Sequence, residues 1–521
     1  MSSVPRIEKK NEGFCLMVNN HPYIILAGEV HNSACTSPQY MEKVWEKAKI
    51  INCNTILAPI YWEFIESDER VYDFSSIENL IMTARKHNLK LVLLWFGSWK
   101  NGHSTYVPKW IKTDLKRFPR VENEYGVKTR TLSMFGSDIF PVEKRSFQEM
   151  MQFIKNIDGV EHTVIAVQIE NEVGVIGSRR DFSPFAMKAY NDVIPKNLEE
   201  CAASILEHQN VDFSCSQNTW ANIFKDKSDE MFMCWYYAKH IDGLAKAGKA
   251  IYDIPMFTNA WLKEHEGEAP GFYPCGGPNQ DVVEIWKTAT EDLDAVCPDI
   301  YSFKFEQIAE KYTRADNPLI IPETRRDKWA PANLYSAIGT YHALCYAPFG
   351  LESIGENKSY ITQIMHTDAN DKNVSNKLVE EFLADSYRMF SNMVSIITKY
   401  YGTNRMIGFV QNEGNMSKHI KFDKYEITIE YYHPIEDDNM FIPAAGVIIQ
   451  EAENNLIFLG YGYRAYIETT NVGKQLDFLS LEKGAYDSCS NWDKFMDLNG
   501  DEQYIRMEEK PTILRATFYE F

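Results

Sequence analysis

The sequence lacks most features that would tie it to a polyanion, a membrane or a metal. Among its 521 residues no run of Lys or Arg exceeds two (Lys9-Lys10, Arg179-Arg180 and Arg325-Arg326 among them), and the formal net charge is −19. Nucleic-acid binders need a cationic face to displace counterions from phosphates, and an acidic surface disfavours anionic lipids and polyanionic substrates. The ten cysteines stand singly, with no CxxC pair and no Cys/His cluster at zinc spacing. That pattern predicts reduced thiols and no metal or other cofactor. No apolar run approaches a membrane span; Leu91 to Phe96 is strand-length. The opening MSSVPRIEKKNEGF has no apolar h-region, so the expectation is a cytoplasmic protein. Glycine (27) and proline (21) are too few for a low-complexity chain, and no repeat at solenoid or propeller spacing is present.

What is there is a globular α/β pattern. Apolar residues make up 45% of the chain. Eight short runs read as strands: Ile24 to Val30, Thr55 to Trp62, Lys90 to Phe96, Thr163 to Ile169, Pro255 to Trp261, Ala295 to Tyr301, Pro318 to Pro322 and one near Gly350 to Gly355. Most are continuous rather than alternating, as in parallel strands buried on both faces. Helical segments lie between them; Ser37-Pro38 offers an N-cap with proline in the first turn. Eight β/α units predict a (β/α)8 TIM barrel. An open doubly wound sheet is the alternative, disfavoured by the strand count and by the lack of GxGxxG after the first strand. One long helix, Asn376 to Tyr400, is expected to close this region. Short alternating strands follow (Tyr425 to Tyr431, Ala445 to Gln450, Leu456 to Leu459, Arg464 to Thr469, Thr512 to Tyr519), separated by turns at Glu436 to Asn439, Glu453 to Asn455 and Leu498 to Asp501. They predict a C-terminal all-β, sandwich-like domain. The expected division is residues 1–375 for the barrel, including a short N-terminal segment, and 376–521 for the helix plus β domain.

A TIM barrel places its reactive groups where strands end. Here those ends carry Trp62-Glu63, Glu170-Asn171-Glu172, Asn259-Ala260-Trp261, Asp299-Ile300-Tyr301 and Glu323-Thr324-Arg325. Carboxylates and amides grip hydroxyls, and aromatic faces stack on the C–H faces of a pyranose. Two facing carboxyl groups can cleave a glycoside, one protonating the leaving oxygen and the other attacking the anomeric carbon. A single Glu at a strand end reads as a salt bridge. Asn-Glu after strand four together with Glu after strand seven reads as catalysis, with Glu170 competing with Glu172 for the acid role.

Ordered motifs carry a resemblance over the barrel and into the C-terminal domain. AGEVHNS (27–33), APIYWEFIE (58–66), VYDFS (71–75), LLWFGSWKNG (93–102), VQIENEVG (167–174) and IIPET (320–324) resemble family 35 glycoside hydrolases, the β-galactosidase family of the Asn-Glu TIM-barrel clan, most of all its bacterial branch with a small C-terminal β domain. The resemblance implies Glu172 as general acid/base, Glu323 as nucleophile and Asn171 on the sugar 2-hydroxyl. Beside these, Trp62, Glu63, Trp99, Asn259, Trp261, Tyr301 and Trp329 are candidate substrate contacts, with Trp95 a further candidate wall, Tyr301 placed to position Glu323, and Lys100, Asn101 and His103 on the rim. Two positions depart from the larger animal and plant members. Ser98 precedes Trp99 where they carry Glu, and Glu63 follows Trp62 where they carry Asn. The expected activity is a retaining, exo-acting removal of terminal β-D-galactosyl residues from oligosaccharides or glycan fragments. A retaining enzyme for another β-glycoside such as a β-glucoside, a transglycosylase and a non-catalytic carbohydrate-binding protein are the alternatives. The expected partners are a small carbohydrate and a second copy of the chain in a homo-oligomer, a dimer in the commonest case; nucleic acid and membrane are not expected. The C-terminal aromatics Tyr431, Tyr432, Phe458, Tyr461 and Tyr463 read as sandwich core or a domain interface rather than a sugar platform.

Overall fold

The structure is a computed structural model that describes residues 4–205, 218–265, 267–356, 375–433, 435 and 441–521. A three-stranded antiparallel meander (Arg6–Lys10, Gly13–Val18, His21–Tyr23) leads into the barrel. The eight barrel strands are Ile25–Glu29, Thr55–Tyr61, Lys90–Lys100, Val164–Asn171, Met256–Ala260, Ala295–Pro298, Ile320–Thr324 and Cys345–Pro348. They are parallel and neighbour one another in chain order, with the eighth returning to the first. A parallel bridge between Ile300 and Thr324 joins strands six and seven, completing the (β/α)8 ring. These strands are buried along nearly their whole length, because helices cover the outside and side chains fill the inside. Their continuous apolar runs have this cause.

Local chemistry starts the first outer helix, Pro38–Ile51. The Ser37 side chain accepts from the Tyr40 N–H, Pro38 opens the first turn, and Asn52 ends it in the left-handed region at φ 60°. Two expectations shift. The eighth strand is Cys345–Pro348, and Leu351–Ser353 is a 3-10 turn instead, because Gly350 at φ 73° breaks the extended chain after Phe349. The long closing helix is two pieces, Lys377–Asn392 and Val394–Ile397, interrupted at Met393, where Asn392 Nδ2 donates to Tyr486 O at 2.8 Å.

The C-terminal domain is two antiparallel sheets. The six-stranded sheet runs in the order Met406–Val410, Ala445–Ala452, Asn455–Tyr461, Thr512–Glu520, Leu476–Tyr486, Trp492–Asp497. The four-stranded sheet runs Ser417–Phe422, Tyr425–Tyr431, Tyr463–Thr469, Ile505–Arg506. In the larger sheet, the strands Ala445–Ala452 and Asn455–Tyr461 are buried on both faces. Ile448, Leu456 and Phe458 join the core between the sheets, whereas Val447, Ile449, Ile457 and Leu459 join the barrel's own core. Tyr461 packs edge-on against Tyr335 and Phe382, the interface position expected for it, and Phe458 lies in the sandwich core. Contact is close at Gly339 and Gly408. A Cβ on Gly408 would lie 2.1 Å from Tyr335 O, and one on Gly339 would lie 2.6 Å from Gly408 Cα, so the strand Met406–Val410 presses backbone to backbone on the helix Trp329–Gly339. Five strands escaped the pattern reading: Met406–Val410, Ser417–Phe422, Leu476–Tyr486, Trp492–Asp497 and Ile505–Arg506. Four of them are sheet edges, where charged residues such as those of WDKFMD keep an edge from pairing with another chain. The turn expected at Glu436 to Asn439 lies outside the described residues.

Candidate active site

The end of strand four builds the centre of the site. Its last residues alternate in backbone hand: Glu170 has φ 61° and Glu172 φ 47°, both in the left-handed region that ordinary side chains avoid. Such strain persists only where neighbours fix it. The third loop does so. Asn101 N donates to Asn171 O and Gly102 N donates to Glu172 O, both at 3.1 Å, while Asn259 Oδ1 accepts from Glu172 N at 2.9 Å.

The two glutamates are thereby sent to opposite tasks. Glu170 is locked beneath the floor, where its carboxylate accepts from Ser98 N and Trp99 N at 2.8 Å each. Behind it, Glu143 accepts from Trp95 Nε1 at 3.0 Å and Ser98 Oγ at 2.5 Å, and meets His240 Nε2 at 2.9 Å. Burial and the neighbouring Glu143 push the Glu170 carboxyl up, so this pair holds a proton between them. Glu172 instead lines the open cavity and takes a hydrogen bond from Asn101 Nδ2.

Glu323 ends strand seven, 2% exposed, across the lumen from Glu172, 3% exposed. Tyr301 Oη donates to Glu323 Oε2 at 2.6 Å, and Asn259 Nδ2 lies 3.3 Å from Glu323 Oε1. Asn259 also donates to Asp299 Oδ2 at 2.8 Å and to Asn171 Oδ1 at 3.1 Å. In the turned orientation of its amide, Asn171 meets Lys100 Nζ at 2.8 Å and Glu323 Oε1 at 3.3 Å. One oxygen each from Glu172, Asp299 and Glu323 lies within 4.8 Å of the other two, a spacing that would also admit a small cation. Burial, reinforced by the Glu323 charge, pushes the Glu172 carboxyl up to about 8. The same two causes hold Asp299 well above the usual carboxylate range. Two facing carboxyl groups, one of them kept protonated at neutral pH, can donate a proton on one side of a bond while the other attacks.

The cavity measures about 280 Å³ and is lined by Asn32, Asn101, Trp261, Asp299, Tyr301 and Phe303 among others. Of the residues expected from sequence, Glu172, Glu323, Asn171, Asn259 and Tyr301 meet in one network, and Trp261 forms its wall. Four others lie elsewhere. Glu63 pairs with Lys112 at 2.9 Å on the half-exposed outer side of its short helix. Trp62 is fully buried, donates to Glu66 Oε2 at 2.9 Å and packs on Trp95. Trp99 is fully buried too, donates to Leu132 O at 3.0 Å and sits edge-on to Tyr237 and His240. Trp329 packs against Phe303 and faces a neighbouring cavity of about 340 Å³ that Val410 and Asn412 of the C-terminal domain also line. Trp95 is core as well, and His103 sits on the third-loop turn, paired through its backbone to Lys100. Asp299 and Glu29 were not singled out from sequence. Their signal was positional: Asp299 stands two residues before Tyr301 and Glu29 two after Ala27, the period that returns a side chain to the same face.

Residues 15–237 match the sequence model of glycosyl hydrolases family 35, and residues 383–508 match a domain of unknown function (DUF5597). The family 35 match covers the barrel from its N-terminal meander to the helix that follows strand four. No curated protein sequence matches the chain. Solved structures similar to it include a cold-adapted β-galactosidase from Rahnella sp. R3 at 14% identity and TM-score 0.46, covering 72% of this chain and 57% of that one. This chain thus spans little more than half the Rahnella enzyme. A β-galactosidase from Bacillus circulans sp. alkalophilus is 11% identical at TM-score 0.47, covering 95% of this chain and 99% of that one. A GH42 β-galactosidase from G. stearothermophilus is 10% identical at TM-score 0.48, covering 95% and 98%. Among the described residues, no helix is long and apolar enough to cross a membrane. The cysteines described (Cys15, Cys35, Cys53, Cys234, Cys275, Cys297, Cys345 and Cys489) are free thiols.

Proposed function

We propose that the protein is a retaining glycoside hydrolase that removes terminal β-D-galactosyl residues from oligosaccharides or glycan fragments. The observation that carries this reading is the facing pair, with carboxyl oxygens of Glu172 and Glu323 within 4.8 Å of one another. Retaining enzymes hold their carboxyl groups about 5–5.5 Å apart, while inverting ones leave roughly 6.5–9.5 Å for a water. In the first step Glu323 attacks the anomeric carbon and Glu172 protonates the departing oxygen. In the second, Glu172, now ionised, takes a proton from the water that releases the sugar. Tyr301 fixes the attacking oxygen's partner, and Asn171 meets the 2-hydroxyl, a contact that strengthens as positive charge develops on the ring. The likeness of residues 15–237 to family 35 supports galactose as the sugar.

A panel of nitrophenyl β-glycosides tests this, with the product anomer followed by NMR. We expect the β-galactoside to be the best substrate and to yield β-galactose first. Glu323→Gln is expected to abolish turnover. First release of the α-anomer rules out retention, and preference for glucosides rules out the proposed sugar.

A further inference from the structure

Glu29 ends the first barrel strand with its side chain completely buried in the lumen, and neither carboxyl oxygen has a hydrogen-bond partner. Glu323, Lys100 and Glu172 all lie near enough for their charges to act on it. The pairing of the strand does not use this side chain. The strand pairs through backbone, with Gly350 N donating to Glu29 O at 2.8 Å and Glu29 in register with Leu57. A buried carboxyl with nothing to bond costs stability, and such unsatisfied groups mark places where a ligand supplies the missing partner.

The proposed reaction fixes which part of the ligand arrives there. The anomeric carbon must sit between Glu172 and Glu323, and the 2-hydroxyl turns to Asn171 on strand four. The leaving group points out of the mouth, past Trp261 and Phe303. The opposite edge of the ring, carrying carbons 3 and 4, then crosses the lumen toward the first strand. We propose that Glu29 binds the 3- and 4-hydroxyls of the non-reducing sugar and reads the configuration at carbon 4. This rests on the glycosidase reading above. Burial, with the Glu323 charge beside it, holds the Glu29 carboxyl well above the usual range, so it meets the sugar neutral, able to donate to one hydroxyl and accept from the other.

The test compares wild type, Glu29→Ala and Glu29→Gln on the glycoside that wild type hydrolyses best and on its 3-, 4- and 6-deoxy analogues. Glu29→Ala should lower kcat/KM on the parent about 100-fold. On the 3- or the 4-deoxy sugar the two enzymes should differ far less, while the 6-deoxy sugar keeps the full penalty. Glu29→Gln should show the same pattern with a smaller penalty, and carries the comparison if the alanine variant does not fold. Melting temperatures of both variants should equal or exceed that of wild type, a result a structural role would reverse. An equal penalty on every analogue overturns the assignment, as does one erased only by 6-deoxygenation. If wild type prefers glucosides, the galactosyl reading fails while the deoxy series, built on the glucoside, still judges Glu29. Affinities of the free deoxy sugars, measured by calorimetry, give the same comparison without turnover.

Discussion

Replacing Glu172 by Gln removes one proton site and almost no volume, so its effects are read as electrostatics. The native carboxyl titrates at about 8 against 4.5 unperturbed, because it is buried and faces Glu323. A folded-state value above the unfolded one means that the native protein holds a proton the unfolded chain has released. Stability from this group is therefore fully present below pH 4.5 and is lost as pH rises to about 8. At about 1.36 kcal/mol per unit, the loss by pH 7 is on the order of 3 kcal/mol. The amide escapes it, so Glu172→Gln should melt at a higher temperature than wild type at pH 7 to 8, with the advantage vanishing near pH 4.5. Catalysis moves the other way. Wild-type kcat/KM on an alkyl glycoside should fall tenfold per pH unit above about 8, as the acid deprotonates. The variant should be slower by about 10²- to 10⁴-fold, with no such limb. Scanning calorimetry from pH 4.5 to 8.5 and a pH–rate profile check both. A variant that keeps the alkaline limb, or that gains nothing in stability at pH 8, refutes the assignment of Glu172 as the protonated acid.

Tyr301→Phe deletes the 2.6 Å hydrogen bond to Glu323. A bond to a charged group contributes about 1.5–3 kcal/mol, so kcat should drop roughly 10- to 100-fold with KM little changed, as steady-state kinetics will show. Gly408→Ala forces a methyl against Tyr335 O. It should destabilise the contact between the barrel and the β domain by about 1–3 kcal/mol, read as a lower melting temperature with the site's pH profile unchanged. Glu63→Gln breaks a half-exposed pair with Lys112. Such pairs contribute about 0–1 kcal/mol, so activity on the panel should stay within twofold; a large fall in kcat/KM would return Glu63 to the sugar site.

The barrel was legible because a parallel sheet covered by helices needs strands apolar on both faces, and seven of eight such runs fall on observed strands. The eighth was displaced because Gly350 and the apolar residues beside it read alike as strand or turn. The tryptophans were the weakest guide. The sequence places Trp62, Trp95 and Trp99 at or near strand ends, as stacking walls are, yet each ring is fully buried and bonds Glu66, Glu143 or Leu132. Which way a strand-end side chain turns depends on the local bulge in Lys90–Lys100, where the register shifts between Trp95 and Lys100, and residue order carries no trace of it.

By itself the sequence determined most of the barrel elements and their order, since apolar periodicity is a local property of the chain, and its motifs put Glu172 and Glu323 forward as the carboxyl pair through their resemblance to family 35. Only the tertiary structure decided which acids share a lumen. Glu29, Glu172, Asp299 and Glu323 come from strands one, four, six and seven and meet only when the ring closes. Their mutual repulsion and burial, which raise three of these carboxyls, exist only at that closeness. The same closure separated Glu172 from Glu170. Two residues apart in the chain, they are assigned to cavity and floor by alternate left-handed backbone turns that the third loop and Asn259 hold in place.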